Sequence, residues 1–163
     1  MHSRKTTRSS EFAEDLPFFE TKPCPECGAG FNIYGNCREV FDTCLSLEFS
    51  KPEYGVVHHL TVCTYNLQHP SKLSYQGWEA SRQLLHDFII DGKSPEQIRR
   101  SNNKQVDNQY RKWKITGNKG TENKLSIEWS KTILDVRLDE PDNYCTDIKA
   151  WALSTLNDCR ASL

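Results

Sequence analysis

Val57-His58-His59-Leu60-Thr61-Val62-Cys63-Thr64-Tyr65-Asn66-Leu67-Gln68-His69-Pro70 is the segment from which the architecture can be built outward. Leu60, Val62, Tyr65 and Leu67 give it a helical pattern, and Pro70 ends it by lacking an N–H and restricting the residue before it. Ser50-Lys51-Pro52-Glu53 reads as the start: Ser50 can cap, Pro52 suits the first turn, and Glu53 stands three residues after the cap. The spacing therefore predicts a helix over 52–69. Upstream, Val40, Phe41, Cys44, Leu45, Leu47 and Glu48 recur at helical intervals and predict another over 37–49. So short a connection makes the two helices antiparallel neighbours. The start of the first then lies beside the end of the second, bringing Cys37 toward His69 and Glu48 toward His58.

Before this hairpin stands Cys24-Pro25-Glu26-Cys27-Gly28, a knuckle with two thiols at the spacing a tetrahedral zinc ion accepts. Zinc–sulfur bonds of about 2.3 Å and zinc–nitrogen bonds of about 2.0–2.1 Å require all donors to converge. His58 and His69 are separated by about 16 Å of helical rise, so they cannot serve one ion. Antiparallel pairing delivers His69 and Cys37 to the knuckle, and the expected ligand set is Cys24, Cys27, Cys37 and His69, a Cys3His site for Zn2+. A redox-active Cys-x-x-Cys is the alternative, but Pro25 inside the motif and Gly28 after it fit a metal knuckle better. Cys44 and Cys63 fall on apolar faces and read as small core residues, and Cys145 and Cys159 read as structural. His59 with Cys63 could chelate a metal but has no evident further ligand, and His86 reads as a packed or surface histidine.

Glu48, His58 and Tyr65 form a second constellation. His58 and Tyr65 are seven residues apart on one expected helix face, and Glu48 arrives from the neighbouring helix. A carboxylate beside an imidazole fixes its tautomer, as acid–base chemistry requires. The plainer reading is a buried hydrogen-bonded network that sets the helix pairing.

With 163 residues the chain can bury a sizeable core, and 36% hydrophobic against 26% charged residues places it among globular proteins. No apolar run approaches the roughly 20 residues of a membrane span, and the basic first ten residues lack the apolar core of a secretory signal. Seven cysteines with one tight pair suit a reducing, cytoplasmic compartment. Residues 1–20 read as a flexible leader and 21–163 as a single helical domain, with the knuckle over 21–36 and the hairpin over 37–69. Further helices are expected over 76–91 and 143–160, with a short one from Pro95 to Arg100. The segment 99–124 carries eight basic residues against Asp107 and Glu122 and reads as a basic loop. Tyr110 and Trp113 within it offer stacking surfaces for nucleic acid, although a solvated loop is the simpler reading. Alternation over 110–116 and 125–129 suggests a two-stranded excursion.

The knuckle, Tyr34, Cys37, Glu48 and the segment from Val57 to Pro70 resemble an uncharacterised bacterial family of small proteins. That family carries a Cys-Pro-x-Cys-Gly knuckle and a Val-His-x-Leu-Thr-Val-x-x-Tyr-x-x-Gln-His-Pro signature. The resemblance implies that His58 rather than His59 is the family histidine and carries over Tyr65, Gln68 and His69. Trp151-Ala152-Leu153-Ser154 is similar to the family's closing helix. Cys63 departs from the acidic residue usual at its place, and His86 is out of register with a family histidine. No activity follows from the resemblance. The expected fold is mainly α, a small helical bundle with an N-terminal zinc knuckle. The expected role is binding or scaffolding with a protein partner around a structural zinc. Two other roles compete: a metal-dependent hydrolase or transferase using His58 and Glu48 or an open zinc position, and a nucleic-acid binder through 99–124.

Overall fold

The computed structural model describes residues 22–106 and 126–162, which are mainly helical and contain no named strand. The expected leader over 1–20 and most of the basic loop, with Tyr110 and Trp113, lie outside the described residues. So does most of the two-stranded excursion, and residues 126–129 are irregular rather than extended into a sheet. The only β pairing among the described residues is an isolated bridge between Asn32 and Gly35.

Helix α1, Cys37–Ser50, starts at a full capping box. Asn36 Oδ1 accepts from the Arg38 and Glu39 amides at 2.9 and 3.0 Å, while Glu39 Oε2 accepts from the Asn36 amide at 2.8 Å. The expected helix over 52–69 is broken in two: α2, Pro52–Gly55, and α3, His58–Gln68. Ser50 does not cap it, because Ser50 is the last residue of α1 and its hydroxyl donates back to the Leu47 carbonyl at 3.3 Å. Lys51 is the N-cap of α2 and makes no side-chain cap bond. Gly55 explains the break: a Cβ there would stand 2.8 Å from the Glu48 carbonyl oxygen, so glycine lets α2 press against the last turn of α1. The chain then re-enters a helix with His58 beside Glu48.

Helix α4, Tyr75–Ile89, is capped by Ser74, whose hydroxyl accepts from the Gly77 amide at 3.0 Å. Helix α5, Pro95–Val106, is longer than the sequence pattern suggested and takes up the first residues of the expected basic loop. Helix α6 runs over Pro141–Ala161. None of these helices is long and apolar enough to cross a membrane.

Helices α3, α4 and α6 pack on one another around Leu67, Trp78, Leu85, Ile148, Trp151 and Leu156, all essentially inaccessible to water. Each such side chain contributes about 1.5–3 kcal/mol of transfer free energy. Helix α1 lies against α2, α3 and a 3₁₀ turn at Ile133–Asp135. Polar bonds fix how these parts sit together. Trp78 Nε1 donates to the Leu67 carbonyl at 3.1 Å, satisfying an orphan acceptor in the last turn of α3. Gln68, fully buried, donates through Nε2 to the Lys131 carbonyl and to Thr155 Oγ1, each at 2.8 Å. Residues near 131 are thereby tied to both α3 and α6.

Candidate metal centre and the second end of the hairpin

The knuckle closes on itself through backbone bonds: the Gly28 amide donates to the Cys24 carbonyl at 2.9 Å, and the Cys24 amide to the Ala29 carbonyl at 2.8 Å. Gly28 has φ +74°, a conformation that favours glycine after the second cysteine. The knuckle is then docked from two sides. Glu26 Oε1 accepts from the Ser71 amide at 2.8 Å, and the Glu26 carbonyl accepts from Trp129 Nε1 at 3.2 Å. An open cleft lined by Cys24, Glu26, Glu128 and Trp129 borders it.

Docking brings together the four residues that the sequence singled out. Donor atoms of Cys24, Cys27, Cys37 and His69 all lie within 4.8 Å of one another. Cys37 Sγ stands 3.4 Å from His69 Nε2, close to the edge of about 3.5–3.8 Å that these bond lengths give a tetrahedral zinc site. Cys27 and Cys37 are buried, and Cys24 and His69 half-buried. All seven cysteines are free thiols.

His69 is oriented for ligation. Its Nδ1 is 2.8 Å from the Tyr65 carbonyl oxygen, which can only accept, so Nδ1 carries the hydrogen and Nε2 presents its lone pair to the thiols. Burial, opposed by that bond, lowers its pKa, which keeps the imidazole in the neutral form a metal requires. The thiols differ among themselves. Burial opposes ionisation of Cys24, but the amides of Cys27 and Glu26 outweigh it and hold that thiol below its ordinary value. Burial pushes Cys27 and Cys37 up, and charge on a neighbouring thiol pushes them further. Three adjacent thiols cannot all ionise without a compensating cation, and a divalent metal supplies one. The residues present therefore fit a metal ion and could hold one.

Tyr65 belongs to this end of the hairpin. It was expected to share His58's surroundings, but about 10 Å of helical rise separates them. Its ring stacks between Phe41, at 3.9 Å between centroids, and His69, at 4.0 Å. Burial raises its hydroxyl pKa, with Cys37 adding to the effect.

At the opposite end His58 and Glu48 meet as the antiparallel argument requires, with His58 Nδ1 2.6 Å from Glu48 Oε2. Two partners here were not singled out from the sequence. Thr61 Oγ1 and Tyr144 Oη donate to Glu48 Oε1 at 2.5 and 2.6 Å. Thr61 had a detectable signal, since it lies one turn beyond His58 on the same helix. Tyr144 had none, being 96 residues from Glu48 in the chain. Burial, the nearby Cys44 and the bond to Glu48 all raise the Tyr144 pKa, so it remains a neutral donor.

The other candidates take ordinary places. His59 packs edge-on against Phe88 at 4.6 Å, and burial lowers its pKa. Cys63 donates to the Ser81 carbonyl at 3.2 Å, and its thiol is pushed up to about 12 by burial. Cys44 and Cys159 are fully buried, while Cys145 is half-buried and 3.5 Å from the Glu53 carbonyl oxygen. His86 stands with Asp87 and Asp91, but Lys93 Nζ already bridges those carboxylates at 3.2 Å each.

Comparison with known proteins agrees with the resemblance in the sequence. No curated protein and no solved structure matches the chain. A protein-family model described as a family of unknown function, DUF5946, matches residues 22–160, from just before the knuckle to the last turn of α6, and the chain belongs to that family.

Proposed function

We propose that Cys24, Cys27, Cys37 and His69 bind one zinc ion in a closed structural site, in a cytoplasmic protein whose role is binding or scaffolding. The observation that carries this reading is the His69 tautomer. The Tyr65 carbonyl takes the Nδ1 hydrogen, leaving Nε2 aimed at Cys37 Sγ from 3.4 Å. Sulfur-rich tetrahedral donor sets favour zinc, and four protein ligands leave no coordination position for a substrate. The metal would join three pieces of chain: the knuckle, the first turn of α1 and the residue ending α3. Free thiols throughout suit a reducing compartment.

Elemental analysis with X-ray absorption tests the reading directly. The expected result is one zinc per chain with three sulfur ligands and one nitrogen, and loss of stoichiometric zinc in Cys27→Ser. Purified protein without stoichiometric metal, or Cys27→Ser with unchanged metal content, would sink it.

A further inference from the structure

We propose that His58 is an imidazole nucleophile, positioned by Glu48, for uncharged carbonyl compounds, specifically esters with a small apolar acyl group. This rests on the far end of the hairpin and is independent of the metal. The Glu48 side chain is 1% exposed and accepts bonds from Thr61, Tyr144 and His58. An ionised carboxylate is an acceptor only, so the hydrogen between Glu48 and His58 belongs to Nδ1. The Nε2 lone pair is therefore free. The His58 side chain is 40% exposed, and its Nε2 has no hydrogen-bond partner among the described residues.

Thr61 and Tyr144 both donate to Glu48 Oε1, and His58 Nδ1 alone serves Oε2, so the imidazole completes the network and still keeps its second nitrogen for other use. The imidazole adds a reactive atom facing water. Its flanks are also unlike ordinary surface. Phe49 lies 5.1 Å from the His58 ring and is 78% exposed, and Val56 is 65% exposed. An exposed apolar ring beside a free nucleophile offers a place for the apolar part of a substrate. The carboxylate behind the ring repels anions and so selects an uncharged substrate.

In the step proposed, the Nε2 lone pair attacks the ester carbonyl carbon. The C–O bond to the alcohol breaks, and the alkoxide or phenolate leaves with the electron pair. Glu48 balances the charge that develops on the ring through the Nδ1–H bond. Water then attacks the acyl-imidazole, releasing the carboxylic acid and restoring His58, while the departing alcohol takes up the remaining proton. The net reaction is ester plus water to acid plus alcohol. His58 is the catalytic residue, and Glu48 is a positioning residue.

The full chain, purified with its native metal content, is assayed with 4-nitrophenyl acetate and 4-nitrophenyl butyrate. The expected rate exceeds that of equimolar free imidazole by about a hundredfold, in the range positioned groups supply, and falls to the imidazole level in His58→Ala. His86→Ala, at a histidine on α4 that has no contact with the Glu48–His58 pair among the described residues, keeps the wild-type rate. Glu48→Gln lowers kcat about tenfold or more with KM little changed, and nitrogen NMR shows His58 losing its preference for hydrogen on Nδ1. A merely structural carboxylate would not shift that tautomer. Should Glu48→Gln fail to fold, diethyl pyrocarbonate labelling of the wild type decides, with His58 modified before His59 and His86. A wild-type rate no greater than free imidazole, undiminished hydrolysis in His58→Ala, or labelling of His58 no faster than His86 overturns the proposal.

Discussion

At one end of the seam between α1 and α3, Cys37 meets His69 together with two knuckle thiols; at the other, Glu48 meets His58, Thr61 and Tyr144. Eleven residues separate Cys37 from Glu48, and eleven separate His58 from His69, so one helical spacing sets both ends. The ends differ in charge balance. The cysteine end gathers acids that repel one another on ionising, and its one histidine is held neutral, so it could hold a cation. The glutamate end places one buried carboxylate among neutral and titratable donors and is satisfied without any ion. The stacked rings of Phe41 and Tyr65 lie in the seam toward the cysteine end, about one helical turn in from Cys37 and His69. The comparison teaches that identical helix geometry yields a cluster fit to hold a metal or a hydrogen-bonded hub, according to the donor chemistry placed on it.

The largest expected effect comes from breaking the cysteine end. At free zinc a thousandfold above its Kd, binding stabilises the folded state by about 4 kcal/mol. Chelation or Cys27→Ser should therefore lower Tm by about 8–16 °C in a chain of this size, as read by calorimetry. An equal Tm with and without chelator would remove the contrast between the ends. Glu48→Ala should come next, with a loss of about 3 kcal/mol in denaturant unfolding, because Tyr144 and Thr61 keep buried hydroxyls without their acceptor. Its metal content should stay unchanged, and loss of zinc in this variant would show the two ends to be one unit.

Tyr144→Phe removes one donor to a charged acceptor and should cost about 1.5–3 kcal/mol, again with metal retained. The smallest effect concerns pH. Burial holds His59 below its ordinary value of 6.5, so the unfolded chain binds a proton at a higher pH than the folded chain does. That contribution to stability is complete above pH 6.5 and is lost as pH falls below it. Denaturation between pH 5 and 7 should show a slope that His59→Gln flattens; an unaltered slope would assign it to another group.

Much of this arrangement was legible in the chain. The apolar intervals from Val40 to Leu47 and the stop at Pro70 are local, and local signals survive without knowledge of the rest of the fold. Both end pairings followed from helix rise and a short connection, because rigid helices turn sequence distance into spatial distance. The errors arose where a tertiary contact overrode a local preference. Ser50 has the chemistry of a cap, but α1 runs on to include it. The break after Gly55 is set by close approach to the Glu48 carbonyl, which a pattern confined to 52–69 does not contain. Tyr65 was grouped with His58 by a shared helix face, though distance along the axis decides which neighbours it meets.

The sequence by itself determined the helical class, the knuckle and the pairing of Cys37 with His69 and Glu48 with His58. Residue type, periodicity and the fixed rise of a helix are sufficient for each. Only the tertiary structure decided what completes each end. Tyr144 arrives from α6, and Trp129 and Ser71 dock the knuckle, across sequence separations that carry no periodic signal. Their positions follow from burial of a common core, in which many weak apolar contacts across distant segments, rather than any local motif, select the partner.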